Sequence, residues 1–183
     1  MRDEITMSGL GGQGVLLAGQ LLAQAACDEG LSVSWYPSYS PEVRGGWTNC
    51  TVVISDGKVG SPVSGRPQAM ALMEPGAIRA HAGSVAPGGL LVLNTSLGEV
   101  EIDRTDVQLV AVGATEAAIE AGSEKIANMV MLGAYLGARH PEMIEPVIEA
   151  LKKVLPERHH KLLPMNEKAI RCGVQAAREA VGG

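Results

Sequence analysis

No phenylalanine occurs among the 183 residues, and aromatic side chains of any kind make up only 3% of them. A chain that is 46% hydrophobic must then build its interior from aliphatic side chains. The few aromatics are also unevenly placed: Trp35, Tyr36, Tyr39 and Trp47 fall in one short stretch, and Tyr135 stands alone elsewhere. Stacking platforms for single-stranded nucleic acid need rings spread along a groove, which this bunching does not provide. Basic charge is scarce as well. With 15 Lys and Arg against 20 Asp and Glu, for a net charge of -5, no basic patch is on offer to displace counterions from a phosphate backbone. Nucleic acid is excluded as a partner class.

Cysteine is sparse: Cys27, Cys50 and Cys172 are odd in number and far apart, so they form neither a disulfide framework nor a Cys-x-x-Cys ligand set. They read as buried small thiols in a reducing cytoplasm, unable on their own to wrap an iron-sulfur cluster. His81, His140, His159 and His160 show no ligand spacing and read as solvated side chains. Ser8, Ser38 and Ser40 lack a nucleophile elbow. Long apolar runs are missing too. The longest, Val15 to Cys27, is interrupted by Gln20 and Gln24 and is too short to span a bilayer, and the polar start at Arg2, Asp3 and Glu4 has no signal-peptide pattern. The expectation is a cytoplasmic protein with no membrane partner, folded as a single domain over 1–183, a length that buries roughly 70% of its unfolded surface.

What is present alternates between short aliphatic runs and longer helical patterns, the mark of a layered α/β fold. Ile5 to Ser8 reads as the first strand, followed by a glycine turn and a helix from Gly14 to Glu29 that Gly30 stops. That helix is apolar on nearly every side and should be buried. Leu31 to Tyr36 reads as strand two, the irregular Pro37 to Gly46 as a loop, and Thr48 to Ile54 as a strand that turns at Asp56-Gly57 into Lys58 and Val59. The loop is too short for a crossover helix, so this part of the sheet should be antiparallel. Ala69 to Met73, Leu90 to Asn94 and Val107 to Val112 read as further strands, and Pro75 opens a helix. Thr115 and Asn166 read as helix caps, and Ile126 to Arg139 as a second helix apolar nearly all round. Ile144, Val147, Ile148, Leu151 and Leu155 form a last helical stripe before the C-terminal one. The expected architecture is three-layer α/β/α, with a mostly parallel sheet, an antiparallel hairpin excursion and a Rossmann-like first βα unit.

Two segments carry candidate chemistry. Gly9, Gly11 and Gly14 fit Gly-x-Gly-x-x-Gly between a first strand and a first helix, with Gly12 and Gln13 between the last two. Glycines let the backbone approach an anion that the helix N-terminus attracts. A nicotinamide site also wants an acid at the end of strand two, where this chain has Trp35-Tyr36-Pro37. Phosphate binding, a full NAD site and helix-sheet packing without ligand remain open for this turn. The second segment gathers Tyr39, Glu42, Arg44, Gly45, Gly46 and Trp47, a mixture of aromatic, guanidinium and acid typical of interface anchors. An internal Glu42 to Arg44 ion pair is the alternative.

Gly9 to Gly14, Tyr-x-x-Glu-x-Arg-Gly-Gly at Tyr39 to Gly46, Ile54-Ser55-Asp56, Asn128 to Gly133, and Asn166-x-x-Ala169-x-x-x-Gly173 together resemble the gamma subunit of the 2-oxoacid:ferredoxin (acceptor) oxidoreductases. The resemblance runs in order over essentially the whole chain. It implies a subunit of a complex that oxidatively decarboxylates a 2-oxoacid with coenzyme A to an acyl-CoA. Alpha, beta and delta subunits are the implied partners, with ferredoxin as electron acceptor. Thiamine diphosphate, magnesium and the iron-sulfur clusters are implied in those other subunits, no cofactor is expected to be held firmly here, and coenzyme A is the ligand suggested for the glycine turn. The form of the Tyr39 to Trp47 segment looks closest to the 2-oxoglutarate branch, with pyruvate and ketoisovalerate as alternatives. No catalytic residue and no metal ligand is expected. The rival from another class is a free-standing NAD(P)-binding Rossmann oxidoreductase domain.

Overall fold

In a computed structural model, residues 2–39, 46–60, 65–98 and 100–182 are described. Strand β1 (Arg2–Leu10) leads through the glycine turn into helix α1 (Val15–Asp28), then β2 (Ser32–Tyr39), β3 (Trp47–Ser55) and β4 (Ala69–Leu72). Helix α2 (Pro75–His81), β5 (Leu90–Asn94), β6 (Gln108–Val112) and α3 (Ala114–Ala121) follow. The chain ends in α4 (Ala127–Arg139), α5 (Ile144–Val154) and α6 (Leu163–Gly182). The strands form one sheet in the order β2-β3-β1-β4-β5-β6. β3 is antiparallel to both neighbours, in register from Arg2↔Ser55 to Leu10↔Trp47 and from Ser32↔Ser55 to Tyr39↔Thr48. β1, β4, β5 and β6 pair in parallel.

The strand alternation assigns the faces. Ile5, Met7, Val52, Ile54, Ala71 and Val92 point to one side, where α1, α4 and the helices around them close the main core. Met70, Leu72, Leu91 and Leu93 point to the other, under Ala77 and Ile78 of the short α2. The three layers are thus unequal. As the composition requires, the interior is aliphatic, and among the described residues Tyr135, at 0% exposure, is the one aromatic side chain in it. Each fully buried Leu or Ile contributes about 1.5–3 kcal/mol. Helix α4 is buried over all its residues from Ala127 to Leu136, because the sheet lies on one side and α6 on another. The α4–α6 approach is glycine-dependent: a Cβ on Gly133 would stand 2.0 Å from the Ile170 carbonyl oxygen, and one on Gly173 would stand 1.9 Å from that of Val130. Among the described residues no helix is long and apolar enough to cross a membrane.

Several expectations need correction. Pro37 lies inside β2 rather than in a loop, tolerated because β2 is an edge strand with one side free of any ladder. Asp56-Gly57 does not turn into a new strand; Ser55 Oγ accepts the Gly57 N–H at 3.1 Å and the backbone leaves the sheet. Thr115 sits inside α3, whose first amides are taken up from β5: Asn94 Oδ1 accepts from Ala114 N at 3.1 Å and Ser96 Oγ from Thr115 N at 2.8 Å. Asn166 lies within α6 and donates back to the Leu162 carbonyl at 2.8 Å. Of the cysteines only Cys50 is buried, its thiol pushed up to about 11 by that burial, while Cys27 is exposed and Cys172 half-buried. His140 is buried rather than solvated, held between carboxylates. Gly30 does end α1, with φ at 77° and its N–H on the Cys27 carbonyl.

Candidate functional site

α1 leaves β1 towards one face of the sheet and α2 leaves β4 towards the other, so the carboxyl ends of β1 and β4 bound a topological switch point. Crevices at such points are where open α/β sheets take ligands. The glycine turn forms one lip. Gly12 and Gly14 have φ of 96° and 75°, which side chains other than glycine rarely adopt. A Cβ on Gly12 would meet nothing within 4 Å, so the backbone there is open to an approaching group. Gly14 is the cap residue of α1, with no side chain capping the helix and no acid in its first turn. The free first-turn N–H groups and the positive dipole end are therefore unopposed from within the helix.

Gln13 fastens the turn. Its Oε1 accepts from Leu10 N at 2.7 Å, and its Nε2 donates to Glu74 Oε1, at the start of α2 across the switch point. Gly9 is close to that clasp, since a Cβ there would stand 2.5 Å from Gln13 Oε1. From below, Asn128 Nδ2 in the first turn of α4 donates to the Gly14 carbonyl at 2.9 Å. From the side, Gly11 N donates to the Gly46 carbonyl at 3.0 Å, joining the turn to the segment that leads into β3.

A cleft of about 260 Å³ opens beside Gly12 and Gln13 and is lined further by Met73, Asn94, Leu97, Thr115, Glu124, Lys125 and Ala127, so that an acid and a base stand side by side in its wall. Asn94 is 1% exposed and structural, its Nδ2 on the Met73 carbonyl and its Oδ1 on the amides of Ser96 and Ala114. Lys125 is exposed and lines the same cleft as Gly12, beside the exposed Glu124. Sequence reasoning missed Glu74, Asn94, Thr115 and Lys125 as members of this site. No local signal marked them: Glu74 and Asn94 stand at the carboxyl ends of β4 and β5, which only the parallel order β1-β4-β5, not established from the sequence, brings to the turn.

The second candidate segment falls only in part among the described residues. Glu42, Arg44 and Gly45 lie outside the described residues, and Tyr39 ends β2. Gly46 is buried against Gly11, and Trp47 pairs with Leu10 at the start of β3. The Trp47 ring packs over Gly76 of α2, where a Cβ would stand 2.8 Å from it, and the side chain is still 38% exposed. The aromatic bunch divides between the two faces. Trp35 lies on the α1 side, its Nε1 2.8 Å from Cys50 Sγ, whereas Tyr36 and Trp47 are on the α2 side. Among the described residues no group of three or more His, Cys, Asp or Glu is arranged to hold a metal ion.

Residues 4–176 match the family model of the pyruvate ferredoxin/flavodoxin oxidoreductases. The chain is 35% identical over 179 residues to the ketoisovalerate oxidoreductase subunit VorA of Methanothermobacter thermautotrophicus, covering 98% of this chain and 37% of that one. The chain thus spans well under half of the curated relatives first matched. The 2-oxoglutarate synthase subunit KorC of Methanothermobacter marburgensis is 32% identical over 188 residues, covering 99% of this chain and 97% of the relative. The gamma subunit of a keto/oxoacid ferredoxin oxidoreductase from Geobacter sulfurreducens superimposes with a TM-score of 0.84 at 30% identity, with 98% of each chain covered.

Proposed function

The chain belongs to the pyruvate ferredoxin/flavodoxin oxidoreductase family, and from that premise we propose that it is the gamma subunit of a multisubunit 2-oxoacid:ferredoxin oxidoreductase. The complex oxidatively decarboxylates a 2-oxoacid with coenzyme A, forming an acyl-CoA and reducing ferredoxin. Alpha, beta and delta subunits carry the thiamine diphosphate, magnesium and iron-sulfur clusters, and this chain is accessory, inactive alone and cytoplasmic. The substrate we favour is 2-oxoglutarate, on the form of the Tyr39 to Trp47 segment and on the similarity to the 2-oxoglutarate synthase subunits KorC. The match to VorA, slightly higher in identity but lying within a longer chain, favours ketoisovalerate as the second reading.

Within that complex the glycine turn receives the pyrophosphate of coenzyme A. The observations that carry this are the uncapped N-terminus of α1 behind the left-handed Gly12 and Gly14, and a switch-point cleft lined by Gly12 and Gln13 of the same turn with Lys125, whose charge the neighbouring Glu124 partly offsets. Backbone N–H groups, a helix dipole and one ammonium are the complement of a diphosphate. Gly9, Gly11 and Gln13 shape the turn, and Leu97 and Met73 give the cleft an apolar wall. Replacing Gly12 and Gln13 with Ala in the assembled enzyme raises the Michaelis constant for coenzyme A and leaves that for the 2-oxoacid in place. An unchanged constant for coenzyme A removes the phosphate role. Tyr39, Glu42, Arg44, Gly45, Gly46 and Trp47 form the seam with the alpha and beta subunits.

One observation favours the nicotinamide alternative: Glu74 supplies an acid at the carboxyl edge of the strand parallel to β1. That carboxylate is occupied by Gln13, and family membership weighs for the subunit reading. A free-standing domain binds a nicotinamide cofactor when purified alone; the gamma subunit does not.

A further inference from the structure

The opposite end of β1 holds a buried cluster that the proposed function does not use. Asp3, 2% exposed, gathers three donors on one oxygen: its Oδ2 accepts from Tyr135 Oη at 2.9 Å, Arg139 Nε at 2.8 Å and His140 Nε2 at 2.7 Å. The other ring nitrogen of His140, Nδ1, stands 2.9 Å from Glu142 Oε1. Both nitrogens therefore face carboxylate oxygens. A neutral imidazole has one N–H and one lone pair, so it can satisfy only one of those oxygens and must turn its lone pair on the other.

We propose that His140 is an imidazolium at neutral pH, and that Asp3–His140–Glu142 is a proton-held latch fastening the C-terminal end of α4 to the start of β1. The groups facing the imidazole are Asp3 from β1, the Tyr135 ring edge-on at 5.7 Å and the Arg139 guanidinium from α4, and Glu142 from the turn after it. Two carboxylates, one guanidinium and one imidazolium balance in charge, and loss of the imidazole proton unbalances them. Burial disfavours the charged ring, but the hydrogen bonds to Asp3 and Glu142 outweigh it and raise the His140 pKa above its ordinary value of 6.5.

The latch has reach because of where α4 runs. At one end Asn128 holds the Gly14 carbonyl of the glycine turn, and at the other the last-turn amide of His140 closes on the Leu136 carbonyl at 2.8 Å beside the cluster. A rigid helix of 13 residues, about 20 Å long, thus links the crevice to the proton site. With a raised folded pKa, the latch's stabilisation is full below the unfolded value and is lost as pH rises through the folded one.

The test is NMR of the full chain labelled in its four histidines, read as ring shifts against pH. His140 is expected as a doubly protonated ring at pH 7, titrating above the ordinary value of 6.5. Glu142→Gln, at a side chain that is 57% exposed and so will not unfold the protein, is expected to lower that midpoint. Asp3→Asn is expected to lower it further; where that variant does not fold, the wild-type and Glu142→Gln titrations decide. A neutral single tautomer at pH 7, or a midpoint unmoved by Glu142→Gln, overturns the latch.

Discussion

Two glycines of one turn differ in what a methyl group would cost, and the difference separates backbone strain from packing. At Gly12 only the φ of 96° resists a side chain, so Gly12→Ala lowers stability by about 1 kcal/mol. At Gly14 the φ of 75° is joined by Asn128 Nδ2, 2.4 Å from where the Cβ would stand, and Gly14→Ala costs about 2–3 kcal/mol. Urea midpoints of the two variants check this; equal losses would place the constraint in the backbone alone. Asp3 gives a second residue-scale prediction. Burial works against its charge, but hydrogen bonds from His140, Arg139 and Tyr135 bring its pKa down from 3.8 to about 2. A depressed carboxylate stabilises the fold above its unfolded pKa and loses that contribution as pH falls through the folded one. Thermal midpoints should therefore fall steeply between pH 4 and about 2, by an amount worth about 2 kcal/mol, and Asp3→Asn should flatten that limb. None of this was legible in the sequence: Asp3 and His140 are 137 positions apart, and nothing local marks them as a pair.

At the scale of elements, α4 and α6 touch through glycine. Alanine is the better helix former by about 1 kcal/mol, yet at Gly133 or Gly173 its Cβ would fall about 2 Å from a backbone carbonyl of the facing helix. The backbones must part, the main core opens, and overpacking wins: Gly173→Ala is expected to destabilise by about 3 kcal/mol, read as a shift in denaturation midpoint. An unchanged or raised midpoint would mean the helices separate freely. Periodicity made both helices legible, along with the buried character of α1 and α4 and the parallel runs at β4 and β5. What it did not give was pairing. Pro37 looked like a loop residue because proline cannot serve a ladder on both sides, and only the edge position of β2 removes the objection. The caps went astray for a similar reason: α3 is capped by Asn94 and Ser96 from the end of β5, 20 and 19 positions from the amides they accept, where a local reading looks one residue away.

For the whole molecule, the glycine turn, the start of β3 and Glu74, just before α2, meet at one sheet edge, and the proposed function puts both the ligand and the partner subunits there. The aromatic bunch that the sequence displayed as one feature is divided by the sheet. Trp35 lies on the α1 side and Trp47 on the α2 side beside the crevice, and the two are equally exposed, at 39% and 38%. Trp47→Ala should therefore weaken assembly with partner subunits, measured by co-purification, more than it lowers the melting temperature of the isolated chain. Family, fold class and glycine turn were legible because motif order survives in sequence; Glu74 and Lys125 were not, because they reach the turn only through the crossing of β4 and the α3–α4 connection. The most direct measurement is to recover the chain from its native cell on an affinity tag and assay what comes with it against a panel of 2-oxoacids. The expected result is a complex with alpha- and beta-type subunits that reduces ferredoxin only when both a 2-oxoacid and coenzyme A are supplied. A chain recovered alone that binds NAD(P) would contradict the account.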